Sequence, residues 1–385
     1  MNHRGHVCIF TSAHPLDDVR VSSKIASSFL DLGFRVSWVG PDLTFVKARA
    51  DLDERLDYHL TTHGRGKIDR VTSARRVARK AAEVDDVDWY YCPDPDAALA
   101  ATALARGSRS RVIFDIHELY HGARLERWLF GLPAGPLREL MRRRIVATCR
   151  RSDLVIGVSR SILSPYVSDR DTSVAVRNCA PRWFVDTPGV TGAGRRTEGV
   201  TFMHGKALPS NGTSVVLDAM AAAGGSIDGA QAIVIRSSAG GDGYQEVVDR
   251  RLEDPALAGR VRLNRAVTHE EMPHLLAQCD VGIIAYGRGL GELSLPNRLF
   301  EYMAAGMAVL APSYAVDIKE IVDEEGIGLT VDFERPEEVA EAMRWFHENR
   351  AATTAMGERA RTSFVERHNW DAEFGRLVDA MEASS

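Results

Sequence analysis

Short apolar runs alternate along this chain with longer stretches whose apolar residues recur three and four apart. The run at 6–12, HVCIFTS, predicts a buried strand. After it Val21, Ile25 and Phe29 share one helical face, Asp17 or Asp18 can cap the start, and Gly33 marks the end. Residues 34–39 then form a second strand, giving a β-α-β unit of a parallel sheet. The rhythm continues with a helix at 71–84, a strand at 112–114, a helical stretch at 138–151 and short strands ending at Ser159 and Asn178. Asp94-Pro95-Asp96 reads as a helix start with proline just inside it. A Gly/Thr/Pro-rich stretch at 186–199 has the makeup of a linker. Beyond it the alternation restarts with a strand at 200–204, a helix from about Gly212 and a strand at 280–285. Residues 286–313 then give a glycine-rich loop, a helix from Pro296 and Asn297 to Gly306, and a strand at 308–312. Phe300, Met303 and Ala304 lie on one face of that helix, and amphipathic helices follow at 337–346 and 366–383. The pattern predicts two α/β domains, 1–188 and 197–366, followed by a closing helix at 367–385.

A length of 385 residues and 45% hydrophobic composition suffice for two cores. No run approaches the roughly 18 apolar residues of a membrane span, and the first residues lack the apolar stretch of a signal peptide. Cys8, Cys92, Cys149, Cys179 and Cys279 are scattered without zinc or disulfide spacing, which predicts reduced thiols in a cytoplasmic protein. Charge is uneven: residues 1–188 hold 29 Lys+Arg against 23 Asp+Glu, the remainder 19 against 30. The basic first half suits phosphate-bearing acceptors or the anionic inner face of a cell membrane, and equally an ordinary solvated surface. The basic helix RELMRRRIVATCRR carries the same two readings.

Several residues point to chemistry. No G-x-G-x-x-G follows the first strand, which argues against a dinucleotide oxidoreductase. Small residues feeding the helix at 297 present backbone N–H groups to an anion, usually phosphate. Glu301, one turn in, is placed to accept hydrogen bonds from two ribose hydroxyls, so the segment suits a nucleoside diphosphate. Arg20 and Lys24, four apart, fall near the carboxyl end of the first strand, where open α/β sheets bind ligands. They read as phosphate contacts or as a solvated basic edge. Asp115, His117 and Glu118 end another strand, and His117 could bond a sugar hydroxyl or brace its own loop. No third ligand stands at zinc spacing from that His/Glu pair, and Asp94-Pro95-Asp96 fits a helix start better than a metal site.

LPNRLFEYMAAGMAVLA at 295–311 resembles the donor-site signature of GT-B glycosyltransferases of the family 4, or group 1, type. In that family the second glutamate of an E-x7-E motif holds the ribose, and Glu301 occupies that position. The first position falls on Leu293, beside Glu292. HPLDDVRVSSK at 14–24 and D-x-H-E at 115–118 resemble the acceptor side of the same enzymes. The resemblance implies acceptor contacts at Asp18, Arg20, Lys24 and Glu118. It implies donor contacts at Gly205, Asn211, Val267, Thr268, Glu292, Ser294, Leu295, Pro296, Asn297 and Glu301. His117, Lys206 and Arg298 become the catalytic candidates. The family carries an arginine after the glycine matching Gly205 and a lysine further on; here Lys206 and Asn211 stand there, so Arg298 or Arg20 would supply the second charge. The fold so implied is two Rossmann-like domains whose parallel sheets face an interdomain cleft, the last helix crossing back to the first domain with Trp370 as anchor.

The implied reaction moves a sugar from a UDP-, GDP- or dTDP-linked donor to an acceptor whose identity stays open, with retention and without metal or other cofactor. Breaking the glycosyl–phosphate bond builds negative charge on the diphosphate, which Lys206, Arg298 and backbone N–H groups at 294–297 would stabilise. Contact with a membrane surface through the basic half is compatible with this; a nucleic-acid partner is not expected. Two rivals stand beside it. A sugar-nucleotide epimerase of GT-B fold would need cleft carboxylates such as Glu118 and Glu292. A nucleotide-sugar-binding module without turnover would account for Leu293 and Asn211.

Overall fold

The computed structural model describes residues 4–43, 53–62, 67–117, 119–120, 135–168, 172–187, 199–237, 243–289 and 291–384. The chain divides into two compact units, Met1–Arg177 with Phe374–Ser385, and Asn178–Glu373.

In the first unit the described strands are His6–Phe10 (β1), Arg35–Pro41 (β2), Asp57–Thr61 (β3), Trp89–Cys92 (β4), Arg111–Ile116 (β5), Leu154–Gly157 (β6) and Ser173–Ala175 (β7). All neighbours pair in parallel, in the order β3-β2-β1-β4-β5-β6-β7. The chain therefore works outward from β1 in one direction and then from β4 in the other. Loops leaving the carboxyl ends of β1 and β4 diverge, and such a switch point is where open α/β sheets take ligands. β1 is buried along its whole length, as a central parallel strand must be. Val21, Ile25 and Phe29 pack inward at zero exposure, as their spacing predicts. They lie on a wide-turned helix, Val19–Ala26, continued as Ser27–Asp31, and the Asp18 carboxylate caps its start through Val21 N–H at 2.8 Å.

The second unit repeats the plan with Thr201–Lys206 (β8), Gln231–Ile235 (β9), Val261–Asn264 (β10), Val281–Ile283 (β11), Ala308–Pro312 (β12) and Gly328–Val331 (β13). Their order is β10-β9-β8-β11-β12-β13, again parallel throughout, with the switch between β8 and β11. Leu299, Phe300, Met303 and Ala304 of the helix Asn297–Ala304 are fully buried against one face of this sheet. Burying each large side chain contributes about 1.5–3 kcal/mol and fixes how the helix is presented.

Three expectations change. The division falls at Arg177/Asn178 and not within 186–199, because Cys179, Ala180 and Phe184 pack into the second unit's core. Residues 188–198 lie outside the described residues. The last helix, Trp370–Ala383, starts in the second unit, where Trp370 N–H bonds Ala180 O at 3.0 Å. From Phe374 it belongs to the first, where that ring meets Phe29 edge-on at 5.0 Å. Asp94 precedes the helix Pro95–Leu104 but makes no side-chain cap; its carboxylate turns to the loop after β1. All five cysteines are free and buried, as their scatter predicts.

Candidate active site residues in the two units

The second unit gathers most of the expected donor residues at its switch point. β8 carries a register shift between Met203 and Gly205, a local bulge that bends the strand just before Gly205 and Lys206. Gly205 sits at φ +92°, and a Cβ there would stand 3.0 Å from Arg298 Nη1. Glycine thus lets the arginine lie close over the strand end. That guanidinium donates to His204 O at 3.3 Å and lies 5.3 Å from the centre of the Tyr286 ring. Burial and the Arg298 charge push the His204 imidazole down to about 3, so it is neutral. His204 Nε2 meets Thr213 Oγ1 at 2.9 Å, and that hydroxyl also bridges both backbone groups of Leu208. Lys206 is exposed beside this braced turn.

Asn211 is buried and donates from Nδ2 to Lys206 O at 2.9 Å. It therefore shapes the turn that carries Lys206. Next to it Gly212 has φ +67°, and a Cβ would lie 1.9 Å from Ala285 O. This close approach of the β8 turn to the end of β11 requires glycine. Gly212→Ala is expected to destabilise the chain by at least about 2 kcal/mol in urea unfolding. An unchanged transition would mean the turn has freedom that this contact denies.

On the other side of the switch point no side chain among the described residues caps the helix Asn297–Ala304. Glu301 Oε1 accepts from Asn297 Nδ2 at 2.6 Å and is half-exposed. Of the four backbone donors expected at 294–297, two drop out. Ser294 N–H is given to Gly291 O at 3.2 Å, and Pro296 has none. The Leu295 side chain is buried in the core, and Glu292 is exposed with its carbonyl bound by Val316 N–H at 3.3 Å. Val267 packs partly against the same core. Thr268 and Glu271 cap each other: Thr268 N–H donates to Glu271 Oε2 at 3.0 Å and Glu271 N–H to Thr268 Oγ1 at 3.3 Å. The Thr268 N–H is thus committed within its own loop. The T-x-x-E spacing at 268–271 is a capping box legible in the sequence.

The first unit holds a tighter cluster at the ends of β1, β4 and β5. Arg20 is 6% exposed and pairs with Asp115 through Nε–Oδ2 at 2.8 Å and Nη2–Oδ1 at 3.0 Å. Tyr91 Oη donates to the same carboxylate, and Arg20 Nη2 reaches Val176 O at 3.1 Å. Burial pushes the Asp115 carboxyl up, but the Arg20 charge and hydrogen bonds outweigh it and hold the group below its ordinary value. Arg20 is accordingly neither a phosphate ligand nor a solvated edge; it closes a buried ion pair. Lys24 is likewise buried, at 2% exposure. Glu118 lies outside the described residues.

His117, just past β5, meets His14 Nε2 through its own Nε2 at 3.2 Å. The other His14 nitrogen lies 3.3 Å from Asp94. Asp94 also accepts from Thr11 Oγ1 at 2.6 Å and Ser12 N–H at 2.9 Å. His14 and Asp94 stand at the strand ends where functional side chains collect, yet their pairing spans 80 positions and no local pattern marks it. Among the described residues, no group of three or more His, Cys, Asp or Glu is placed to hold a metal ion.

Residues 222–379 match the family model described as glycosyl transferase-like. A GDP-mannose-dependent alpha-(1-6)-phosphatidylinositol monomannoside mannosyltransferase of Mycobacterium tuberculosis is 26% identical over 317 residues, 79% of this chain and 78% of that protein. A glycosyltransferase from Rickettsia africae superposes with a TM-score of 0.74 at 12% identity, covering 99% of each chain. Anabaena HepE, solved with UDP, gives 0.72 at 12% identity over 98% of this chain and all of its own. The chain has the two-domain α/β GT-B fold, and most of its second unit matches the glycosyl transferase-like family. The family-model match includes the loop, helix and strand at 286–313. No helix among the described residues is long and apolar enough to cross a membrane.

Proposed function

We propose that this transferase takes its sugar from a GDP- or UDP-linked hexose, retains anomeric configuration and needs no metal. The observation that carries the reading is the second unit's switch point, with Gly205 and Lys206 on one side and the uncapped helix bearing Arg298 and Glu301 on the other. Lys206 and Arg298 together with a helix N-terminus can neutralise a leaving diphosphate without an added cation. Glu301 takes the ribose hydroxyls. The mannosyltransferase relative uses GDP-mannose and HepE was solved with UDP-glucose, which is why these two donors come first. His117 stands on the acceptor side. Exposed Arg143 and Arg144 on the helix Gly135–Cys149 offer contact to anionic lipid.

The test incubates the intact chain with each donor and a lipid or sugar acceptor, with and without a chelator, and reads the anomer by proton NMR. Transfer with retained configuration in chelator supports the proposal; inversion or chelator-sensitive turnover overturns its finer parts. Incubation with donor alone separates an epimerase, which would change the sugar without acceptor. Glu301→Ala is expected to weaken nucleoside diphosphate binding about 10- to 100-fold, the value of one or two hydrogen bonds to a charged group. Unchanged affinity by calorimetry would remove Glu301 from the site.

A further inference from the structure

We propose that Asp94 and His14 are positioning residues that fix the tautomer of His117, so that His117 offers a ring N–H at Nδ1 to a hydroxyl of the bound sugar or acceptor. The inference rests on the transferase reading for the identity of that hydroxyl, but its geometry is independent of it. Three side chains from the ends of three adjacent strands form one line. Asp94 follows β4, His14 follows β1 and His117 follows β5. Asp94 is itself held by Thr11 Oγ1 and Ser12 N–H, so its carboxylate cannot turn away. It faces His14 Nδ1 at 3.3 Å, and His14 Nε2 faces His117 Nε2 at 3.2 Å. The rings meet nearly perpendicular, at 79°, which suits a nitrogen–nitrogen hydrogen bond in the plane of each ring.

Two imidazole nitrogens in such contact share one proton, so one must donate and the other accept. Asp94, an acceptor, draws a proton to His14 Nδ1. Whichever proton state His14 then takes decides the role of His117. If His14 carries protons on both nitrogens, its Nε2–H donates and His117 must hold its own proton on Nδ1. If His14 is neutral, His117 donates from Nε2 and its Nδ1 becomes an acceptor. Burial lowers His14, but the hydrogen bond to Asp94 and the charges of Asp94, Asp18 and Asp115 more than reverse this and raise it above its ordinary value. Burial lowers His117, helped by His14 and Arg20 and opposed by Asp115 and Asp94, so His117 stays neutral. Below the raised His14 titration the first state therefore holds. His117 Nδ1 is buried and has no hydrogen-bond partner among the described residues. A buried N–H left unmade is costly, and a ligand hydroxyl would satisfy it.

The experiment is long-range nitrogen–proton NMR of the 15N-histidine-labelled full chain between pH 5 and 9, on wild type, Asp94→Asn and His14→Ala. In wild type, at pH below the His14 titration, His117 is expected to show a single neutral tautomer protonated at Nδ1. His14→Ala should convert it to a mixture and move its titration upward, because a neighbouring positive charge is gone. Asp94→Asn should move the His14 titration downward and loosen the His117 tautomer at neutral pH. Turnover should fall on the order of tenfold or more in both, since one positioned donor in an active site is worth at least that. A His117 tautomer that is Nε2-protonated in wild type below the His14 titration, or unchanged in both variants, overturns the proposal. That readout needs no sugar nucleotide, so it stands or falls separately from the transferase reading.

Discussion

Asp115→Ala is expected to destabilise the first unit by about 3–5 kcal/mol, because it strands the Arg20 guanidinium in the core. Asp115 has zero exposure and takes two hydrogen bonds from Arg20 and one from Tyr91. Arg20 Nη1 is already buried without a partner among the described residues, and Val176 O, which Nη2 also reaches, carries no charge to replace the carboxylate. The companion variant Arg20→Met with Asp115→Leu should recover much of the loss, since removing both charges removes the desolvation cost as well. The pH dependence has a fixed sign. A carboxyl held below its unfolded value contributes stability above that value, about 3.9, and loses it as pH falls. The gap between wild type and Asp115→Ala in urea unfolding should thus be full at pH 7 and shrink on acidification. An Asp115→Ala chain within 1 kcal/mol of wild type would show that Arg20 is free to act elsewhere, as the basic-edge reading requires.

Arg298→Ala is expected to lower kcat by about 10²–10³, the range seen when one preorganised donor to developing charge is removed. Its guanidinium is held by His204 O and lies near the Tyr286 ring, so it needs little reorganisation when the diphosphate departs. Gly205 makes room for that placement. Steady-state kinetics should show the loss mainly in kcat, while urea unfolding changes by less than about 1 kcal/mol, as for other partly exposed polar contacts. A kcat within threefold of wild type would leave Lys206 and backbone groups as the sole stabilisers and remove Arg298 from the mechanism.

The two sheets and the helix Asn297–Ala304 were legible in the sequence because their signal is local. Phe300, Met303 and Ala304 recur at helical spacing, Gly306 ends the helix, and the next five residues are apolar. Arg20 was not legible, because an arginine at the end of a strand looks the same whether it meets solvent or a carboxylate 95 positions away. The same holds for Asp94, whose place before Pro95 matches a helix start although its carboxylate bonds the loop after β1. His14 lay inside a motif already singled out, but its partners come from two other strands. Loss of Ser294 N–H to Gly291 O reflects a turn in the glycine-rich loop that no spacing rule specifies. Packing across the sheet, not pattern along the chain, assigned these residues their roles.

The most direct test is calorimetric titration of the intact chain with GDP and UDP, repeated on Glu301→Ala. The account predicts one nucleoside diphosphate bound at one site per chain, with affinity falling about 10- to 100-fold in the variant. Failure of both nucleotides to bind, or equal binding to wild type and variant, would contradict a donor site built on Gly205, Arg298 and Glu301.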